Sequence, residues 1–280
     1  MELKHVAVRE GRLSSFLKQE MHMSTGLVNR LKWQEKIFVN GVAQHNDYSV
    51  KAGDVITAML DEEEPNYPPE DGELSILYED EHLLAVDKPA GVLIHPSHSK
   101  NDGTLANFVL GYYVRTNQKC AFHPVTRLDR DTFGIVLLTK NSHIHALMQQ
   151  TSLKKTYHAL VSGGPAEDAG TIDAPIARKP LPSLLREVHP DGKRCITEFQ
   201  VLQWLDGYTK LALRPVTGRT HQLRVHCAYM GFPILGDPQY GNGPADYGLS
   251  HQMLCAKRLE FAHPVTGKIM ILESKMDAKL

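Results

Sequence analysis

Residues 61–74 read Asp-Glu-Glu-Glu-Pro-Asn-Tyr-Pro-Pro-Glu-Asp-Gly-Glu-Leu. Three prolines in this stretch forbid a helix, and seven like charges repel one another and extend the chain. The 280 residues must therefore build their cores on either side of it. The pattern predicts a small unit over 1–60, an acidic linker over 61–74 and a larger unit over 75–280.

The same stretch explains the charge. The net charge of −1 argues at first against a nucleic-acid partner. Residues 61–81, however, hold ten of the 32 acids and neither Lys nor Arg. Setting those ten aside leaves 31 basic against 22 acidic residues, a net of +9. A phosphate-binding surface is then open to the rest of the chain, provided the acidic segment lies elsewhere. No apolar run approaches the ~18 residues of a membrane span, and Met1 to His5 lack an apolar signal core. A cytoplasmic protein is expected. Cys120, Cys195, Cys227 and Cys255 form no Cys-x-x-Cys pair, and His143/His145 and His221/His226 lack zinc-helix spacing. Neither a metal site nor a disulfide framework is expected.

In the first unit, Leu13, Phe16 and Leu17 stand at i, i+3 and i+4, the spacing of one helical face. Ser24 is placed to cap a second helix carrying Leu27, Val28 and Leu31. Lys36 to Gly41 reads as a strand closed by a type I′ turn, because Asn40-Gly41 suits two positive φ angles. Val55 to Leu60 is a last short strand. Such a unit is too small to bury a rich core. It holds eight basic and six acidic residues.

In the second unit, strands are predicted at 75–78, 82–86 and 92–94, around the turn Lys88-Pro89-Ala90-Gly91. Thr104 can cap a helix running to Tyr112, and Ser142 one running to Gln150. Further strands follow at 135–138, 154–161, 194–205, 208–213, 254–262 and 268–273. Residues 163–193, rich in Gly, Pro and charge, show few clear elements. Strands outnumber helices and are often consecutive. The class is α+β: a mixed, largely antiparallel sheet with flanking helices, beside a small N-terminal α/β unit.

Three places in this unit concentrate chemistry. The first is His123-Pro-Val-Thr-Arg-Leu-Asp-Arg-Asp-Thr-Phe-Gly134, which runs straight into the apolar Ile135 to Leu138. Two acids and two arginines crowd the entrance of a buried strand, where one carboxylate can turn inward with a guanidinium to balance its charge. The second is Thr217-Gly-Arg-Thr-His-Gln-Leu-Arg-Val-His226. Gly218 permits a sharp turn and Thr220 is a good helix N-cap. Leu223, Cys227 and Met230 recur at helical spacing and should face a core. Arg219, His221, Gln222 and Arg224 are left at the helix start, which favours an anion. The third is Tyr157, on the strand from Lys154.

These motifs carry a resemblance. Arg127-Leu128-Asp129-Arg130-Asp131-Thr132 with Gly134 resembles the catalytic loop of RluA-type RNA pseudouridine synthases. Where that pattern has His and Ser or Thr, this chain has Thr126 and Phe133. Asp80 to Pro96 resembles the family's Lys-Pro-x-Gly turn, Lys155-x-Tyr157-x-Ala159-Leu160-Val161 its tyrosine motif, and Arg219 to Arg224 its arginine motif. Gly231 to Gly241 also matches a family run, which we read as turns locking the last helix to the sheet. The first unit resembles the alpha-L RNA-binding module through Arg12-Leu13, Arg30-Leu31, Val39-Asn40-Gly41 and Gly53-Asp54. The resemblance implies catalysis by Asp129, Tyr157 and Arg224, with Asp129 acting on the ribose as nucleophile or as base. It implies substrate contacts from Arg127, Arg219, His221, Gln222 and Leu223, and RNA contacts from Arg12, Lys18, Arg30 and Lys32. The reaction requires no cofactor. The partner is RNA, ribosomal foremost and transfer RNA as the other candidate, and a monomer is expected. Two rivals remain: a non-catalytic RNA clamp, which leaves Asp129 idle, and a two-carboxylate glycosidase, for which Asp131 is the nearest second acid.

Overall fold

A computed structural model describes residues 1–97 and 101–280. The chain begins with β1 (Glu2–Val6), β2 (Gly11–Arg12), α1 (Leu13–Ser15), α2 (Thr25–Trp33), β3 (Ile37–Val39), β4 (Val42–Ala43), β5 (Ser49–Val50) and β6 (Val55–Met59). A four-stranded sheet of order β1-β6-β3-β4 and the pair β2–β5 carry the helices. Leu13, Phe16 and Leu17 are all fully buried, as their spacing predicts. The backbone nevertheless widens after Ser15 into a π-helical turn, Phe16–Glu20, closed by Met21 N–H on the Phe16 carbonyl. Ser24 Oγ caps α2 by accepting the Leu27 N–H at 3.2 Å. Asn40 and Gly41 take φ of 50° and 81°, as the hairpin turn requires.

Residues 61–74 contain no helix or strand, yet they do not hang free. Asp61 meets Lys36 Nζ at 2.6 Å and Arg30 Nε at 3.0 Å. Glu62 meets Lys119 at 2.7 Å, Glu63 meets His123 and the Ser142 N–H, and Asp71 meets Arg115 at 2.6 Å. Glu70 accepts the Gly103 N–H at 3.0 Å. Its carbonyl crosses the following helix at Gly111, where an added Cβ would lie 1.9 Å from the oxygen. Like charges predict an extended chain; partners supplied by both units strap that chain down.

The second unit comprises β7 (Ser75–Glu79), β8 (Leu83–Lys88), α3 (Leu105–Arg115), β9 (His123–Pro124), β10 (Phe133–Thr139), α4 (Ser142–Gln150), β11 (Lys154–Ser162), β12 (Ala169–Asp173), β13 (Ile176–Arg178), β14 (Arg186–Val188), β15 (Ile196–Trp204), β16 (Tyr208–Pro215), α5 (Gln222–Tyr229), β17 (Leu254–Ala262) and β18 (Ile269–Glu273). Its sheet runs β12-β15-β16-β11-β17-β10-β8-β7, with β18 on β17 and β9 on β10. The fold is mixed α+β, and its large sheet is mostly antiparallel. Among the described strands the one parallel contact is β10 with β17, Phe133 opposite Cys255 and Gly134 opposite Ala256. Gly134 has φ 106°, and a Cβ there would come within 2.5 Å of the Ala256 carbonyl oxygen. Only glycine fits that seam. The seam sets β10 in mid-sheet with all seven residues buried, so the loop before it opens onto the centre of the sheet.

Several local expectations change. Residues 92–94 form no strand; the Leu93 and Ile94 carbonyls instead accept the Leu105 and Ala106 N–H groups at the start of α3. That helix runs on to Arg115, beyond Tyr112. Asn141, not Ser142, caps α4. His221, not Thr220, is the N-cap of α5. Met230 is 46 % exposed because α5 ends before it turns inward. Residues 163–193 hold β12, β13 and β14, two of them only three residues long. One apolar cluster joins the units, from Leu13, Phe16, Met21 and Leu31 to Ile135, Ile144, Met148 and Leu259.

Candidate active site

The loop before β10 is pinned from several sides. Thr126 Oγ1 accepts the Leu137 N–H at 2.9 Å, and Thr132 Oγ1 accepts Gln252 Nε2 at 2.7 Å. Lys88, fully buried, donates to the carbonyls of Pro89 (2.8 Å), Val92 (2.9 Å) and Arg130 (2.8 Å). The Lys88-Pro89-Ala90-Gly91 turn thus grips the loop through one ammonium. Burial pushes Lys88 down to about 8, against the pull of Asp131 and Asp129. Arg130 takes Asp131 in a two-pronged pair at 3.0 and 2.9 Å. Asp131 is therefore committed to its neighbour, which removes the second carboxylate that the glycosidase reading needs.

Asp129 is left facing α5. Its Oδ2 accepts Arg224 Nη1 at 2.9 Å, and the side chain keeps 31 % exposure. Among the described residues no hydrogen bond reaches Oδ1. Arg224 is 5 % exposed and does not belong to Asp129 alone. Its Nε and Nη2 grip Asp237 Oδ2 and Oδ1 at 2.7 and 2.8 Å, and Nη2 also reaches Gln239 Oε1 at 2.9 Å. Asp237 is wholly buried. A bidentate pair of this kind fixes the plane of the guanidinium. Two carboxylates and one guanidinium carry a net charge of −1, so Asp129 is held without being fully neutralised.

Tyr157 sits on β11 at a bulge, paired with Ala256 of β17 and Leu213 of β16. Burial and the nearby Asp129 charge raise its pKa well above that of a free phenol. The phenol therefore stays protonated near neutral pH. His221 Nε2 stands 3.9 Å from Asp129 Oδ2. Burial lowers the pKa of His221, aided by Arg224 and Arg186 and opposed by Asp129 and Asp237.

Asp129, Arg224, Tyr157 and His221 come together, and Arg127 is exposed on the same loop. Arg219 is exposed as well, its Nε donating to the Arg194 carbonyl at 3.2 Å. Gln222 and Leu223, named with them in the arginine motif, are buried. Gln222 is buried and ties the Ile196 carbonyl, Thr197, Thr217 and the Arg219 N–H together, while Leu223 packs in the core with Leu213 and Phe232. The first turn of α5 carries both an inner and an outer face, and these two lie inside. Arg12 and Lys18 are exposed on the small unit; Arg30 is held by Asp61, and Lys32 lies 6.0 Å from the Trp33 ring. The sequence reading missed Asp237, Gln239 and Tyr240 as members of the site. Its signal was a lone acid, Asp237, two residues after the apolar run Phe232 to Leu235. A hollow of about 690 Å³ lies elsewhere, between the small unit and α4, lined by His22, Arg30, Asn141 and His143 among others.

Residues 82–229 match the RNA pseudouridylate synthase family. An uncharacterised RNA pseudouridine synthase of Bacillus subtilis is 35 % identical over 96 % of this chain and 90 % of its own length. The ribosomal large subunit pseudouridine synthase D of Escherichia coli is 34 % identical over 83 % of this chain and 77 % of its own. The human RNA pseudouridylate synthase domain containing 1 structure superposes with a TM-score of 0.62 at 27 % identity, over 76 % of this chain and 87 % of that one. The chain belongs to the RluA-type RNA pseudouridine synthases and is an enzyme of that family.

Proposed function

We propose that Asp129 is the carboxylate that acts at the ribose of a target uridine. The observation that supports this best is the 2.9 Å contact from Arg224 to one oxygen of Asp129, with no hydrogen bond to the other among the described residues. The target base leaves its stack, at a cost of a few kcal/mol that is least in a loop or bulge. The C1′–N1 bond breaks and positive charge develops on the sugar, where Asp129 traps it or, as a base, takes a ribose proton. The freed uracil turns, C5 bonds to C1′, the C5 proton leaves and N1 gains one. Tyr157 offers the flat face on which the base turns. Arg127 fills the space the base vacates, and Arg219 meets phosphate.

The first sixty residues act as an alpha-L RNA-binding module, with Arg12, Lys18, Arg30 and Lys32 toward phosphate. The substrate is ribosomal RNA, as the names of the Escherichia coli and Vibrio cholerae relatives state for those proteins. The enzyme works in the cytoplasm and as a monomer. Asp129→Asn is expected to bind RNA yet form no pseudouridine. Carbodiimide-blocked primer extension on cellular RNA measures this, and a full signal from the variant refutes the assignment. Mapping with and without the protein identifies the uridine.

A further inference from the structure

His221 precedes α5 with φ 57° and ψ 18°, a left-handed conformation uncommon for a side chain of this size. The bend carries the imidazole between two partners. Nδ1 lies 2.8 Å from Tyr240 Oη, and Nε2 points at Asp129 Oδ2 from 3.9 Å. The two rings meet edge to face at 5.6 Å. Tyr240 Oη also accepts the backbone N–H of Arg186 at 2.9 Å. A phenol has one proton to give. With Arg186 donating to the oxygen, that proton is available to His221 Nδ1, which accepts it in the Nε2–H tautomer. The imidazole N–H is left on Nε2, the nitrogen that faces Asp129. The Tyr240 ring lies 5.0 Å from the Arg224 guanidinium, so one tyrosine touches both groups that flank Oδ2.

We propose that Tyr240 and His221 are positioning residues. The Tyr240 phenol locks His221 as its Nε2–H tautomer, so that a neutral donor stands beside Arg224 at Asp129 Oδ2 and leaves Oδ1 to the substrate. This deepens the reading of Asp129 as the reacting carboxylate and rests on it. Neutrality matters because Arg224 is already shared with Asp237. A charged imidazolium would cancel the remaining negative charge and blunt Asp129 as nucleophile or base. The groups facing His221 are Asp129 from the loop, Arg186 from β14, Arg224 from α5, and Asp237 and Tyr240 from the turn after α5. Burial and the two arginines hold the ring neutral against the two aspartates. The gap of 3.9 Å closes to a hydrogen bond when substrate fixes the carboxylate.

The test uses the whole protein labelled with 15N-histidine, with the His221 signals assigned by their loss in His221→Asn. The expected pattern is Nδ1 bare and Nε2 protonated from about pH 7 to 9. Tyr240→Phe should mix the tautomers and lower kcat about tenfold or more at unchanged KM, read by tritium release from RNA labelled at uridine C5. His221→Asn, which tolerates the left-handed backbone and keeps an N–H donor, should retain more activity than His221→Ala. An Nδ1–H tautomer in the unaltered protein overturns the proposal, as does Tyr240→Phe with unchanged kcat. If Asp129→Asn is inactive while Tyr240→Phe behaves normally, only this inference falls. An active Asp129→Asn removes the catalytic reading beneath it.

Discussion

In residues 61–74 the paired acids meet cations of their own at the surface; in the loop at 127–132 Asp129 shares one buried guanidinium with Asp237. Both stretches carry acids and are irregular. The first stores its charges in pairs such as Glu62–Lys119 and Asp71–Arg115, whose side chains are 46–87 % exposed. Pairs of that kind contribute about 0–1 kcal/mol each and are screened by salt. The second sets Arg224, 5 % exposed, between a fully buried acid and a half-open one. The buried pair holds the guanidinium in place, and the half-open acid is left with charge to use. The difference lies in how far water is excluded, not in the number of acids.

Asp237→Ala should break the comparison most severely. It strands Arg224 in the interior with Asp129 and Gln239 as its remaining partners. Loss of about 3–5 kcal/mol in denaturant unfolding is expected, with a large fall in tritium release as Arg224 shifts wholly onto Asp129.

Lys88→Met tests whether the loop needs its grip from beneath. Three carbonyls lose a donor, and about 2–3 kcal/mol should be lost while the volume stays filled. The pH dependence has a definite sign. The folded value of about 8 lies below the ordinary 10.5 of a free lysine, so between them the unfolded chain binds more protons. The unaltered protein therefore gains stability as pH rises through that window, and Lys88→Met lacks this gain. Unfolding midpoints across the window check it.

Glu63→Gln should do least, costing under about 1 kcal/mol at neutral pH with normal turnover. Burial raises the Glu63 pKa, but hydrogen bonds from His123 and Ser142 outweigh it and hold it below 4.5. Its contribution is present above 4.5 and lost as pH falls through the lower folded value. Thermal melts on the acid side should show that loss in the parent and not in the variant. A larger effect of Glu63→Gln at neutral pH would mean that the strap, like the loop, carries buried charge.

Much of this was written in local pattern. The apolar run after Gly134, the Asn40-Gly41 hairpin, the Ser24 and Thr104 caps and most strands follow from periodicity and turn chemistry that act over a few residues. Less legible were features that depend on what the chain meets later. The π-helical turn at Phe16 keeps the predicted buried face but changes pitch to fit its core. Residues 92–94 look like a strand, yet their carbonyls serve the start of α3. Asp237 and Tyr240 sit in a run that reads as turns, and nothing local says that one holds Arg224 and the other His221.

By itself the sequence determined which residue types stand ready: an aspartate and an arginine in two motifs 95 positions apart, a strand tyrosine, and an acidic stretch without helix or strand. Periodicity and backbone preference are local forces, so they are visible in order along the chain. Only the tertiary structure decided that β10 lies parallel to β17, that α5 aims Arg224 and His221 at one oxygen of Asp129, and that Gln222 and Leu223 are buried. Those outcomes depend on burial and on Coulomb forces between distant segments, which exist only once folding has excluded the water between them.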